Sequence, residues 1–98
     1  MFAYTDTAAT LIRSLISSTG GGAASGLRLS VDPSWGSLRM ELASSPEVDD
    51  QVLNHHDANV FVAGSAAARL DRRVLDARIE RQRTAFFLVD RDDRSRLQ

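Results

Sequence analysis

The chain of 98 residues contains neither cysteine nor lysine. Without cysteine it can form no disulfide, offer no thiolate nucleophile and supply no thiolate to a metal or cluster. All twelve basic side chains are arginines, and thirteen acidic ones bring the formal charge to -1. Such a balance gives no whole-molecule field to recruit nucleic acid or an anionic membrane. Long apolar runs are missing too: none approaches the roughly 20 residues that a membrane-crossing helix needs, and the N-terminus lacks a basic stretch leading into an apolar one. There is no Gly-x-Ser-x-Gly elbow, and neither histidine stands in a recognisable catalytic setting. The expectation is a soluble, cytoplasmic protein that is not an enzyme and has no nucleic-acid or membrane partner.

What the chain does have is 43% hydrophobic content, enough for one compact domain over residues 1–98, with its core in 2–90 and a charged tail at 91–98. A chain of this size buries roughly 60 to 70% of its unfolded surface. Phe2 and Tyr4 alternate with smaller neighbours and predict a short strand, followed by Thr5 or Asp6 as a helix N-cap. Ala8, Leu11, Ile12, Leu15 and Ile16 recur at three- and four-residue spacing, which predicts a helix with one buried stripe. The run SSTGGGAASG ends it, with Gly20 as a left-handed C-terminal residue. A flexible linker suits this run better than a phosphate cradle, which would precede a helix rather than follow one.

GLRLSVD and SLRMELA both alternate with period two and flank the loop PSWG. Pairing Asp32 with Ser37 sets Val31 against Leu38, Leu29 against Met40 and Leu27 against Leu42, and it places Arg28 opposite Glu41. A one-residue slip would set apolar side chains against charged ones. This hairpin carries the only tryptophan, Trp35, at its tip. An indole there either stands out as an anchor for a protein partner, offering large apolar area with few rotatable bonds, or folds down as a lid over the core.

Farther along, residues 51–55 and 59–63 predict a second hairpin around HHDA, and SAAARLD a short helix capped by Ser65. Residues 74–81 alternate again, with Leu75, Ala77 and Ile79 inward. Residues 84–89 are apolar on both faces, which predicts either a central strand or part of an interface between subunits. The predicted order is strand, helix, four strands, helix, two strands, giving an α+β fold: a small mixed β-sandwich of about seven short strands with two helices.

His55, His56 and Asp57 invite a metal reading, in which histidine and carboxylate ligands hold iron or zinc. Adjacent histidines on an extended strand point to opposite faces, however, so they chelate one ion only if the turn kinks them together. Asp90, Asp92 and Asp93 are interleaved with arginines that oppose a cation. Arg69, Arg72, Arg73, Arg78, Arg81 and Arg83 hint at a basic patch, which Asp71, Asp76 and Glu80 dilute.

The element order, together with TDTAATLIRSLI, GLRLSVDPSWGS and VLNHHDANVFVAGSAAARLD, resembles the HesB/IscA-like family of A-type iron-sulfur carriers over residues 2–90. The resemblance implies a small mixed sandwich that often dimerises. It also implies a cluster or iron held by one cysteine in the first hairpin and by a C-terminal Cys-Gly-Cys. Here the first position is Trp35 or Ser34, and the tail offers only Asp90, Arg91, Asp92, Asp93 and Arg94. Clusters need soft thiolates, with histidine an occasional substitute, and indole is no ligand. The expectation is therefore a divergent, cysteine-free member with no resident cofactor, acting as a protein-interaction or accessory module through Ser34 and Trp35. It is expected to have a protein partner and to be a possible homodimer. Metal binding through His55, His56 and Asp57 stands as the alternative.

Overall fold

A computed structural model describes residues 2–90. The predicted tail, including Asp92 and Asp93, lies outside the described residues. Two helices and seven strands follow one another as β1 (Ala3–Tyr4), α1 (Asp6–Ser18), β2 (Gly26–Val31), β3 (Leu38–Ala43), β4 (Gln51–His55), β5 (Ala58–Val62), α2 (Gly64–Leu70), β6 (Arg73–Glu80) and β7 (Arg83–Asp90). This is the predicted order. The strands form two mixed sheets, one of three strands ordered β1-β6-β7 and one of four ordered β3-β2-β5-β4.

Local chemistry explains α1. Thr5 is the N-cap, and its hydroxyl accepts from the Ala8 amide at 3.1 Å. This satisfies one of the helix's orphan donors. At the other end, the Gly20 amide donates to Ser17 and the Gly21 amide to Ile16, with Gly20 at φ 76°. That pair of bonds is a Schellman stop, which needs a left-handed residue where glycine has no Cβ to clash. The buried stripe of α1 is Ala8, Ala9 and Ile12, whereas Leu11, Leu15 and Ile16 are only half-buried. The small alanines let the helix lie close against β6, β5 and β2.

The first hairpin has the predicted register, with Val31 opposite Leu38, Leu29 opposite Met40, Leu27 opposite Leu42 and Arg28 opposite Glu41. Leu27, Leu29, Val60, Val62, Leu70 and Leu75 join the α1 stripe in the core. The central strands of the larger sheet are β2 and β5, paired in parallel. Every residue of β5 except Asn59 is buried.

Two sequence expectations change and a third is narrowed. Of the two readings of the apolar strand at 84–89, the central one fails: β7 is the outer strand of its sheet and, among the described residues, pairs only with β6. Phe86 and Leu88 turn inward against the core, while Phe87 lies under the Arg78 guanidinium, 5.3 Å from its ring centroid. Ile79 is 65% exposed rather than inward, because β6 and β7 outrun the two-residue β1, whose pairing ends at Tyr4 opposite Leu75. Ser65 does not cap α2. The N-cap is Ala63, and the Ser65 hydroxyl instead accepts from the Val31 amide at 3.3 Å. Among the described residues no helix is long and apolar enough to cross a membrane.

Candidate functional site

Two places gather the side chains singled out by sequence. One is the tip of the β2–β3 hairpin. Asp32 organises it: the carboxylate Oδ1 accepts from the Ser34 amide at 2.8 Å and the Trp35 amide at 3.1 Å. The Asp32 carbonyl accepts from Gly36, and the Asp32 amide donates to Ser37, both at 2.8 Å. Gly36 takes φ 69° to close the turn, a conformation that favours glycine. Arg69 of α2 donates from below to the Gly36 carbonyl, so a helix braces the loop. Ser34 is exposed, and Trp35 is 85% exposed. The indole does not fold over the core, and of the two sequence readings the lid is excluded.

The other place joins the β4–β5 turn to the start of α1. His56 and Asp57 form a two-residue turn with φ 50° and 62°. Positive φ at both central residues is the type I′ pattern whose twist suits a hairpin. It overrides the strand alternation that separates adjacent histidines. His55 and His56 both bring Nε2 to one oxygen, Asp6 Oδ1, at 2.8 and 2.9 Å. Their rings meet edge-on with centroids 4.4 Å apart. Asp57 is not the carboxylate of the group. Asp6 takes that role, and the sequence reading missed it, because only the fold brings residue 6 beside residue 55. The one available signal was the position of Asp6 in the first turn of a predicted helix, where an anion is favoured.

Both partners are held in place. The Thr5 amide donates to the Leu75 carbonyl at 3.0 Å, and its hydroxyl donates to Asp76 at 2.7 Å, which fixes the start of α1 on β6. Tyr4 packs edge-on against His55 with centroids 5.5 Å apart. Its hydroxyl donates to the Ala58 carbonyl at 2.8 Å across the turn. Burial pushes the Tyr4 phenol up to about 12, so it stays a neutral donor. The hydrogen bond from His55, followed by the charges of the two imidazoles, holds the Asp6 carboxyl below the usual carboxylate range.

No family model matches the chain, and no curated protein matches it in sequence. Solved structures do. The chain is similar to Escherichia coli SufA, a protein involved in biosynthesis of iron-sulfur clusters, at 28% identity and TM-score 0.74, covering 90% of this chain and 83% of SufA. It also matches a protein from Aquifex aeolicus at 20% identity and TM-score 0.72, covering 91% and 90% of the two chains. A third match is IscA with its [2Fe-2S] cluster, at 19% identity and TM-score 0.67, covering 92% and 85%. The fold is HesB/IscA-like.

A HesB/IscA-like fold raises the question of whether this chain can hold a cluster, and its donor set does not fit one. The whole sequence has no cysteine. At the hairpin tip where the resemblance puts a ligand, the solvent-facing groups are a hydroxyl and an indole. Neither is a soft, strongly donating ligand for iron in a sulfide cluster. Asp90 to Arg94, the counterpart of the second ligand segment, contains only carboxylates and guanidinium groups, and it lies outside the described residues beyond Asp90.

Proposed function

We propose that this HesB/IscA-like domain is a non-catalytic docking module that serves iron-sulfur metabolism without carrying a cluster of its own. The observation that carries the reading is Trp35, 85% exposed on a turn fixed by Asp32 and braced by Arg69. An ordered loop that presents a large amphipathic ring loses little conformational freedom on binding, the condition under which a single aromatic anchors an interface. The partner suited to it is a cytoplasmic protein of iron-sulfur cluster handling with an apolar pocket for the indole. The likeness to SufA supports the pathway, and the missing thiolates support a role in docking rather than carrying.

Self-association belongs to the same reading. The outer strand β7 is half-buried on both faces from Thr84 to Asp90, and an apolar edge of that length is a template for pairing with a second copy.

Affinity capture from the native host, comparing wild type with Trp35→Ala, tests the proposal. The expected result is recovery of iron-sulfur assembly proteins by the wild type and their loss with the variant. Equal recovery by both, or partners unrelated to iron-sulfur chemistry, would overturn it.

A further inference from the structure

We infer that Asp6, His55 and His56 form a three-ligand site for a divalent transition metal of the zinc class, with its fourth position open to solvent. This goes beyond the docking reading and stands without it, since it uses neither Trp35 nor any cluster chemistry.

The case is geometric. Three donor atoms from two distant segments lie within 4.8 Å of one another, and both imidazole nitrogens already sit at 2.8 and 2.9 Å from one carboxylate oxygen. Tetrahedral zinc with bonds of about 2.0 to 2.1 Å requires donor separations of about 3.3 Å. Opening the two N···O distances by about half an ångström and bringing the two nitrogens, within 4.8 Å of each other, to the same separation makes room for the ion. Ligation requires each imidazole neutral with Nε2 free, so the proton that each ring donates to Asp6 from Nε2 passes through solvent to Nδ1, and the cation takes the place of the two hydrogen bonds. The three side chains are exposed, so water can complete the coordination.

The surroundings favour a built arrangement. Adjacent strand residues normally diverge, yet two non-glycine residues at positive φ swing His56 round to join His55. Tyr4 packs on the His55 ring and ties the far side of the turn through Ala58, while Thr5 pins Asp6 through Leu75 and Asp76. Ligand chemistry selects the ion. Two imidazoles with one carboxylate suit zinc, cobalt, iron(II) or nickel, whereas calcium and magnesium prefer all-oxygen shells and copper(I) prefers sulfur.

The test is zinc titration of the tag-free full chain by calorimetry, with cobalt(II) as a spectroscopic probe. The expected result is a single saturable site whose cobalt form shows the visible bands of a four-coordinate nitrogen and oxygen shell. Asp6→Asn, His55→Gln and His56→Gln should each weaken zinc by about tenfold or more, and Asp57→Asn, which alters a carboxylate outside the group, by less than about threefold. Amide spectra of each variant verify the fold. Three results would each overturn the site: no saturable binding, binding that survives His55→Gln with His56→Gln, or an Asp6→Asn affinity within about threefold of wild type.

Discussion

Arg28 grips Asp50 with two parallel hydrogen bonds, Nε to Oδ2 at 2.9 Å and Nη2 to Oδ1 at 3.1 Å. The Asp50 side chain is 1% exposed and that of Arg28 15%. Asp50 Oδ2 also accepts from the Glu47 amide at 2.9 Å, and the Asp50 amide donates back to the Glu47 carbonyl at 3.0 Å. The loop before β4 is thus folded onto β2 around one carboxylate. Forked guanidinium-carboxylate pairs are stronger than single ones, which explains why Arg28 spends its fork here rather than on Glu41, its cross-strand neighbour on exposed β3.

Asp50→Asn should cost about 1 to 3 kcal/mol, since it leaves a mostly buried guanidinium short of charge and acceptors. Urea unfolding gives the value, with the m-value unchanged. The pH dependence has a definite sign. The hydrogen bonds from Arg28 hold Asp50 below the usual carboxylate range, so its contribution is complete above that range and fades as pH falls through the depressed value. The variant should show a shallower acid limb, and an identical limb in both proteins would refute the assignment.

The exposure of Trp35 and its turn predict opposite responses. Trp35→Ala should change stability by less than about 0.5 kcal/mol, as for a surface site, whereas Asp32→Ala should cost about 1 kcal/mol because two loop amides lose their acceptor. Trp35 is the only tryptophan, so its emission reports directly. A solvated maximum with free access to acrylamide is expected, and a blue-shifted, protected one would contradict the exposed tip.

Gly26→Ala should be among the most damaging single-methyl changes. A Cβ there would sit 2.7 Å from the Asn59 carbonyl oxygen, 2.8 Å from Asn59 Cβ and 2.9 Å from Phe61 Cζ. Asn59 is the parallel partner of Gly26 on β5, so relief requires a shift of backbone in a buried strand, at a cost of about 2 to 3 kcal/mol. Gly22→Ala, with nothing within 4 Å, is the matched control and should stay within about 0.5 kcal/mol. Equal melting of the two variants would show that the β2–β5 contact is looser than described.

If β7 is the edge through which copies pair, light scattering should give a dimer, and Ala85→Lys should return monomer. The new charge stands on β7 itself, so pairing two copies along this strand would bring like charges together, and an edge lysine blocks such pairing. A wild-type protein that is monomeric at every concentration would remove self-association from the proposed function.

The hairpin register and the start of α1, with Thr5 as one of two candidate caps, were legible because each depends on neighbours in sequence: alternating apolar residues with period two fix the pairing, and a hydroxyl three residues before a free amide makes a cap. Of the two readings of residues 84–89, the central strand failed because two-sided apolarity fits equally well an outer strand with one face on the core and the other under an arginine. The metal-ligand reading named the two histidines but paired them with the adjacent Asp57, since no local pattern joins residue 6 to residue 55.

By itself the sequence determined that this chain supplies no thiolate to a cluster and in what order its strands and helices run, because composition and short-range periodicity need no third dimension. Tertiary structure alone decided that Trp35 stands in solvent, that Arg28 turns from Glu41 to Asp50, and that Asp6 meets His55 and His56. Each of these depends on how distant segments pack, and a side chain's direction is set by the backbone turn and by neighbours that the linear order does not reveal.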